Sequence, residues 1–318
     1  MTESRTLYQR QLANLEEDLK PIMAELLDER VTDIMVNPGG ELWIKRFGEA
    51  TSFSGRAVKR EEVLRIIMST AALIDKKVTK DQWNLTGVVP KYNARIEAFI
   101  EPTVSSPTFC LRKPTLLALS LSDYVSDGRL SPAHQEAITQ AVKDRKNILI
   151  GGGTGTGKTT LLNAIISEIA RLRPSDRLYI VEDTPEINCK APNFVSLVVM
   201  PNESIRAVRS ALRYKPDRII FGELRYGEVA LEWLKASATG HPGGMCTIHA
   251  DGAQRMLPRM RDLLLECFST AVPLNIIYEA IGLCVYLEEI PDFGPRVVEV
   301  AGVLPGLDAG GNFQYSNY

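Results

Sequence analysis

One short segment constrains the fold of this chain more than any other: Gly152 to Thr159 read GGTGTGKT, directly after the apolar run NILIGG and directly before a helical pattern from Lys158 to Leu172. The spacing G-x-x-x-x-G-K-[ST] between a strand and a helix is that of a phosphate-binding loop. Glycines let the backbone curl so that successive N–H groups point inward, and the helix amino end adds a partial positive charge. The spacing predicts that Gly152, Gly153, Thr154, Gly155, Thr156, Gly157, Lys158, Thr159 and Thr160 cradle the phosphates of ATP. Lys158 would reach the β- and γ-phosphates, and Thr159 would offer its hydroxyl to Mg2+.

Such a loop needs a sheet around it, and the pattern supplies one. Apolar strands are predicted at Leu178 to Val181, Val195 to Val199 and Arg218 to Phe221, separated by helical or loop segments, which implies a parallel sheet covered by helices. Before the loop the pattern differs. Apolar residues at helical spacing predict one amphipathic helix from Leu7 to Leu27; the NPGG turn predicts a hairpin within residues 33–53; a helix follows at Arg60 to Asp75. Strands at Arg95 to Glu101 and Thr108 to Arg112 complete a small α+β section. The expected organisation is an α+β domain over residues 1–113, a linker with one short helix over 114–132, an ATPase domain over 133–304 that opens with a helix from Ala133 to Asp144, and a Gly-rich, loosely ordered tail over 305–318.

Composition removes several alternatives. Apolar residues make up 45% and charged residues 24%, the mixture of a folded globular protein. A net charge of −2 offers no general electrostatic grip on nucleic acid, which leaves direct nucleic-acid contact open only through local patches. The polar amino terminus MTESRTLYQRQ and the lack of a long apolar run predict a cytoplasmic chain with no integral membrane segment. Five scattered cysteines without a CxxC pair predict reduced thiols and neither disulfide nor zinc.

Hydrolysis needs a group that orients or deprotonates water, usually a carboxylate at the end of a neighbouring strand. IIFGE puts Glu223 there, with Gly222 where many P-loop enzymes carry a metal-binding Asp. The metal then falls to Thr159, helped partly through water by Glu182, Asp183 and Glu186 of VEDTPE. Two of only three histidines, His241 and His249, lie in TGHPGGMCTIHA. A Gly-rich loop presenting His249 to the γ-phosphate is the reading; a zinc pair is the alternative, but no third ligand is near in sequence. His134 reads as a surface or capping residue.

GGTGTGKTT, IVEDTPEI, RIIFGELR and TGHPGGMCTIHA stand in the order of the Walker A, acidic, modified Walker B and His boxes of the secretion-superfamily traffic ATPases. With DIMVNPGGELWIKR and ALRYKPDRIIFGELR, the chain most resembles the TrbB-type conjugal-transfer ATPases of type IV secretion systems. That resemblance implies an α/β architecture: a RecA-like P-loop domain with a smaller amino-terminal α+β domain, assembled as a homo-hexamer. It also implies a place peripheral to the inner membrane beside type IV secretion components, and ATP hydrolysis coupled to pilus assembly or substrate transfer. Glu223 matches the family's catalytic glutamate, and Gly222 matches the family as well. Glu182, Asp183 and Glu186 match the acidic box, and His249 and His241 the His box. Arg95 and Arg112 stand where relatives place arginines that approach the nucleotide. Two other readings stay open: a type IV pilus or type II secretion motor, and a RecA-like nucleic-acid-dependent ATPase.

Overall fold

The computed structural model describes residues 2–47, 49–113, 119–268, 271–291 and 293–318. Residues 114–118 of the expected linker lie outside them. The chain divides into two compact units, Met1–Leu117 and Ala118–Tyr318.

In the first unit, α1 (Thr2–Asp18) is followed by a 3-10 turn at Lys20–Ile22 and by α2 (Met23–Leu27). The single helix expected from Leu7 to Leu27 is thus broken. Pro21 sits at the start of the 3-10 turn, where it lacks an N–H for the helical ladder and its ring crowds the preceding turn. Then come β1 (Val31–Val36), β2 (Glu41–Arg46), β3 (Ser52–Ala57), α3 (Arg60–Leu73), β4 (Asn84–Val89), β5 (Ala94–Phe99) and β6 (Thr108–Arg112). They form a sheet in the order β3-β2-β1-β6-β5-β4, antiparallel throughout. The NPGG turn joins β1 to β2 in register Val36 to Leu42, as the hairpin pattern predicts. Leu15, Leu19 and Ile22 pack with Ile66 and Ile67 of α3 against Ile34, Leu42 and Ile96 of the sheet.

The second unit runs α4 (Leu121–Ser126), α5 (Pro132–Lys143), β7 (Ile148–Gly152), α6 (Lys158–Leu172), β8 (Leu178–Glu182), β9 (Phe194–Val198), α7 (Ser204–Ala211), β10 (Arg218–Phe221) and α8 (Gly227–Ala238). It continues through β11 (Met245–Ile248), α9 (Met256–Leu265), α10 (Asn275–Ala280), β12 (Leu283–Ile290), β13 (Gly294–Leu307) and β14 (Phe313–Asn317). The sheet order is β14-β13-β12-β7-β11-β10-β8-β9, parallel from β12 to β9. Side chains alternate between its faces: Ile148 and Ile150 meet Ile138, Leu162 and Ile165 on one side, while Leu149 meets the core of Trp233, Leu257 and Met260 on the other.

Three expectations need correction. Leu121, Tyr124 and Leu130 belong to the second unit's core, so α4 is part of that unit rather than of a connector. The tail is not loose: β14 pairs with β13 from Ala301–Asn317 to Leu307–Phe313, and its alternating Phe313 and Tyr315 pack on the core despite the surrounding glycines. MCTI is not loop but β11, a buried central strand between β7 and β10. Its glycines serve packing. A Cβ on Gly243 would stand 2.3 Å from Arg218 Nη1, and one on Gly244 would stand 2.6 Å from the Ile219 carbonyl oxygen.

Candidate functional site

The sheet carries its chemistry on one edge. Lys158 follows β7, Glu182 ends β8 with Asp183 after it, Glu223 and Arg225 follow β10, and His249 follows β11. In an open parallel sheet the carboxyl ends of the strands are where ligands bind.

The phosphate loop turns into α6 through Gly157, whose φ of +80° suits glycine and which offers no side-chain cap to the helix. The first-turn N–H groups thus lack the capping oxygen a Ser or Asp would supply, which favours an anion there. Lys158 is buried, and its Nζ donates to the carbonyls of Gly152 at 2.9 Å and Gly153 at 2.7 Å. Burial lowers its pKa, against the pull of Glu223 and Glu186. A desolvated ammonium inside a curl of backbone, at a helix start without a cap, fits the charge and shape of a nucleotide's phosphates.

The acidic residues divide into distinct roles. Glu182 is buried, and its Oε2 accepts the N–H groups of Glu186 and Ile187, both at 2.9 Å. Burial pushes its pKa up to about 7, although those N–H groups favour the ionised form. This carboxylate shapes the loop after β8. Asp183 Oδ2 accepts from Arg225 Nη1 at 2.9 Å. Thr159 Oγ1 donates to Glu186 Oε2 at 3.1 Å. Among the described residues no three His, Cys, Asp or Glu side chains converge on a metal position. The four-residue metal set is therefore not drawn together: among the described residues only the side chains of Thr159 and Glu186 hydrogen-bond to each other. One carboxylate and one hydroxyl suit Mg2+, which keeps several waters and usually takes few protein ligands.

Glu223 is the focus of the site. Its Oε2 accepts from Arg225 Nη2 at 2.6 Å. His249 Nε2 lies 2.7 Å from its Oε1, a buried oxygen that has no hydrogen-bond donor among the described residues. Burial pushes the pKa of Glu223 up, yet Arg225, His249 and Lys158 together outweigh burial and hold it below the ordinary value. Gly222 has a steric reason: a Cβ there would stand 3.1 Å from Glu182 Cβ, closer than side chains comfortably approach. Sequence reasoning gave Arg225 no role, although an arginine two residues beyond a strand-end glutamate was visible in GELR.

The two histidines separate. His249 reaches Glu223, whereas His241 precedes β11 at the opposite edge, with Nδ1 2.8 Å from the Pro216 carbonyl oxygen. His134 is not the cap of α5: Ser131 is, and His134 Nε2 lies 3.2 Å from the Tyr318 carbonyl oxygen. In the first unit, Arg95 and Arg112 are neighbours across β5 and β6, and Arg112 Nε donates to Asp33 Oδ1 at 2.9 Å.

A phosphate loop opening onto the carboxyl edge of a parallel sheet, with a strand-end glutamate opposite its lysine, defines the P-loop nucleotide-binding class. The family model described as "Type II/IV secretion system protein" matches residues 8–288, and the chain belongs to that family. "Conjugal transfer protein TrbB" of Rhizobium radiobacter is 39% identical over 302 residues, which are 94% of this chain and 92% of the relative. "Type IV secretion system protein VirB11" of Bartonella quintana is 30% identical over 293 residues, 78% of this chain and 80% of the relative. The solved Yersinia pseudotuberculosis ATPase DotB shares the fold, with a TM-score of 0.68 at 20% identity, over 90% of this chain and 79% of that one. Among the described residues no helix is long and apolar enough to cross a membrane.

Proposed function

We propose that this chain hydrolyses ATP with Mg2+, and that hydrolysis drives conjugative pilus assembly or substrate transfer by a type IV secretion system. The reading includes a ring of six copies, peripheral to the inner membrane on its cytoplasmic side beside other secretion components. The relatives' names, conjugal transfer protein and type IV secretion system protein, support the process. The observation that carries the chemistry is the pairing, on one sheet edge, of a buried Lys158 in the phosphate loop with a Glu223 carboxylate that keeps one oxygen without a hydrogen-bond donor.

In this reading the loop N–H groups and Lys158 hold the phosphates, and the ammonium offsets charge that grows as the γ-phosphoryl group leaves. Glu223, held ionised, aligns a water through its spare oxygen and takes its proton. His249 stands beside that oxygen, where a ring N–H senses the γ-phosphate. Mg2+ would be held by Thr159 and Glu186 and would neutralise charge on the phosphate oxygens. Arg112 and Arg95 add positive charge needed for turnover.

Steady-state ATPase rates and nucleotide affinity test the reading. Lys158→Ala should abolish turnover and weaken ATP binding. Glu223→Gln should bind ATP normally while turnover falls by a factor on the order of 10² or more. Arg112→Ala and Arg95→Ala should lose turnover in the same assay. Wild-type turnover in folded Lys158→Ala protein would overturn the assignment of the loop, and a parallel loss of binding and turnover in Glu223→Gln would make that carboxylate structural.

A further inference from the structure

Arg225 follows β10 and is 41% exposed on its side chain, yet it binds two carboxylates that arrive on different strands. Nη1 donates to Asp183 Oδ2 at 2.9 Å and Nη2 to Glu223 Oε2 at 2.6 Å. A guanidinium is a planar fork whose donors are fixed relative to one another, so pairing both ends fixes the distance and tilt between the partners. Among the described residues no other hydrogen bond reaches Glu223 Oε2, and a glutamate without such an anchor rotates about several torsions. We propose that Arg225 is a positioning residue that braces Glu223 against Asp183 and so holds the carboxylate at one aim toward the phosphate loop.

The inference rests on the reading of Glu223 as the group that acts on water, and extends it to a residue outside the phosphate loop. Arg225 occupies one oxygen of Glu223 and leaves the other facing His249 and the Lys158 side of the site. That division suits a water-aligning carboxylate: one oxygen anchored, the other without a hydrogen-bond donor among the described residues. An exposed ion pair of ordinary kind contributes little, but this one joins the loops after β8 and β10 around a carboxylate that is only 17% exposed. The charged and titratable groups around Glu223 are Lys158 of α6, His249 after β11, and Arg225 with its partner Asp183; Glu186 faces Lys158 from the loop after β8. Of Lys158, His249 and Arg225, only Arg225 also holds a second carboxylate, on another strand's loop. A lysine at this position could neutralise Glu223 but not span both partners in one plane.

Full-length protein carrying Arg225→Gln, Arg225→Lys, Asp183→Asn, Glu223→Gln and the Arg225→Gln/Glu223→Gln pair is assayed for kcat and KM with ATP, with melting temperature as the folding check. Arg225→Gln should lower kcat by roughly 10- to 100-fold with KM within about twofold of wild type. Arg225→Lys should recover part of that loss, and Asp183→Asn should cost less than Arg225→Gln. The double variant should match Glu223→Gln alone, because Arg225 acts through that carboxylate. A further loss in the double variant, or a KM that rises as kcat falls, would show Arg225 touching the nucleotide itself and overturn the proposal. Wild-type kcat in Arg225→Gln beside a dead Glu223→Gln would overturn it and leave the role of Glu223 standing. A fully active Glu223→Gln would remove both. If Arg225→Gln melts early, the lysine variant and the double-variant comparison decide the question.

Discussion

The two edges of the parallel sheet use charge in opposite ways. At the amino edge Arg218 is only 1% exposed, and each of its nitrogens is engaged: Nε donates to Asp176 Oδ2 at 2.8 Å, Nη1 to the Gly243 carbonyl at 3.2 Å and Nη2 to the Val142 carbonyl at 3.1 Å. Arg145 takes the other oxygen of Asp176 at 2.6 Å. At the carboxyl edge Arg225 and His249 are partly exposed, and Glu223 has an oxygen, Oε1, with no hydrogen-bond donor among the described residues. A buried charge with every bond made holds elements together; a charge with an oxygen in hand can act on something else.

Breaking the amino edge should have the largest effect. Arg218→Ala would leave Asp176 buried and half-paired, and should cost about 3–5 kcal/mol of stability, read as a fall in denaturation midpoint with an unchanged slope. Near-wild-type stability would mean that the two edges do not differ as described. A sharper contrast comes from the two histidines. His249→Ala should lower ATPase turnover by about tenfold with little change in ADP affinity or melting. His241→Ala should leave turnover within about twofold and act, if at all, on stability through its contact with the Pro216 carbonyl. Equal catalytic losses would erase the distinction between the edges.

A pH-dependent effect concerns Glu182, which belongs to the active edge by position but resembles the other by its bonding. Its folded pKa, about 7, lies above the ordinary 4.5, so the folded state binds the proton more tightly than the unfolded one. Its contribution is therefore fully present below pH 4.5 and lost as pH rises through about 7, by at most about 3 kcal/mol. Glu182→Gln should flatten the fall in stability across that window, measured by chemical denaturation of the nucleotide-free protein. An unchanged slope would show that another group carries it.

The active edge, unlike the amino edge, was largely legible in the sequence. The strand-turn-helix setting of GGTGTGKT gave β7 and α6, and the apolar runs gave β8 and β10, because buried parallel strands read as continuous hydrophobic segments; β9 was also found, although it is a partly exposed edge strand. What escaped were elements whose partners lie far away in sequence. β11 is four residues long, and the glycines before it answer to Arg218, which no local pattern reveals. β3 is a largely exposed edge strand without alternation, and β14 is ordered by its pairing with β13. At the site, residue types and strand ends identified Lys158, Glu223 and His249 as neighbours. The split of the acidic box among a loop brace, an arginine partner and a threonine partner depends on side-chain direction, which VEDTPE does not encode locally.

The close fit of Gly222 against Glu182 has a consequence for how such a site can change over generations. A methyl group at 222 already crowds Glu182 Cβ, and an aspartate would also bring a second negative charge beside a carboxylate whose pKa burial holds near 7. The two positions are therefore tied in their mutational histories. A substitution from Gly222 to the aspartate common in other P-loop enzymes would have to displace Glu182 by a few tenths of an ångström, and becomes easier once 182 is neutral.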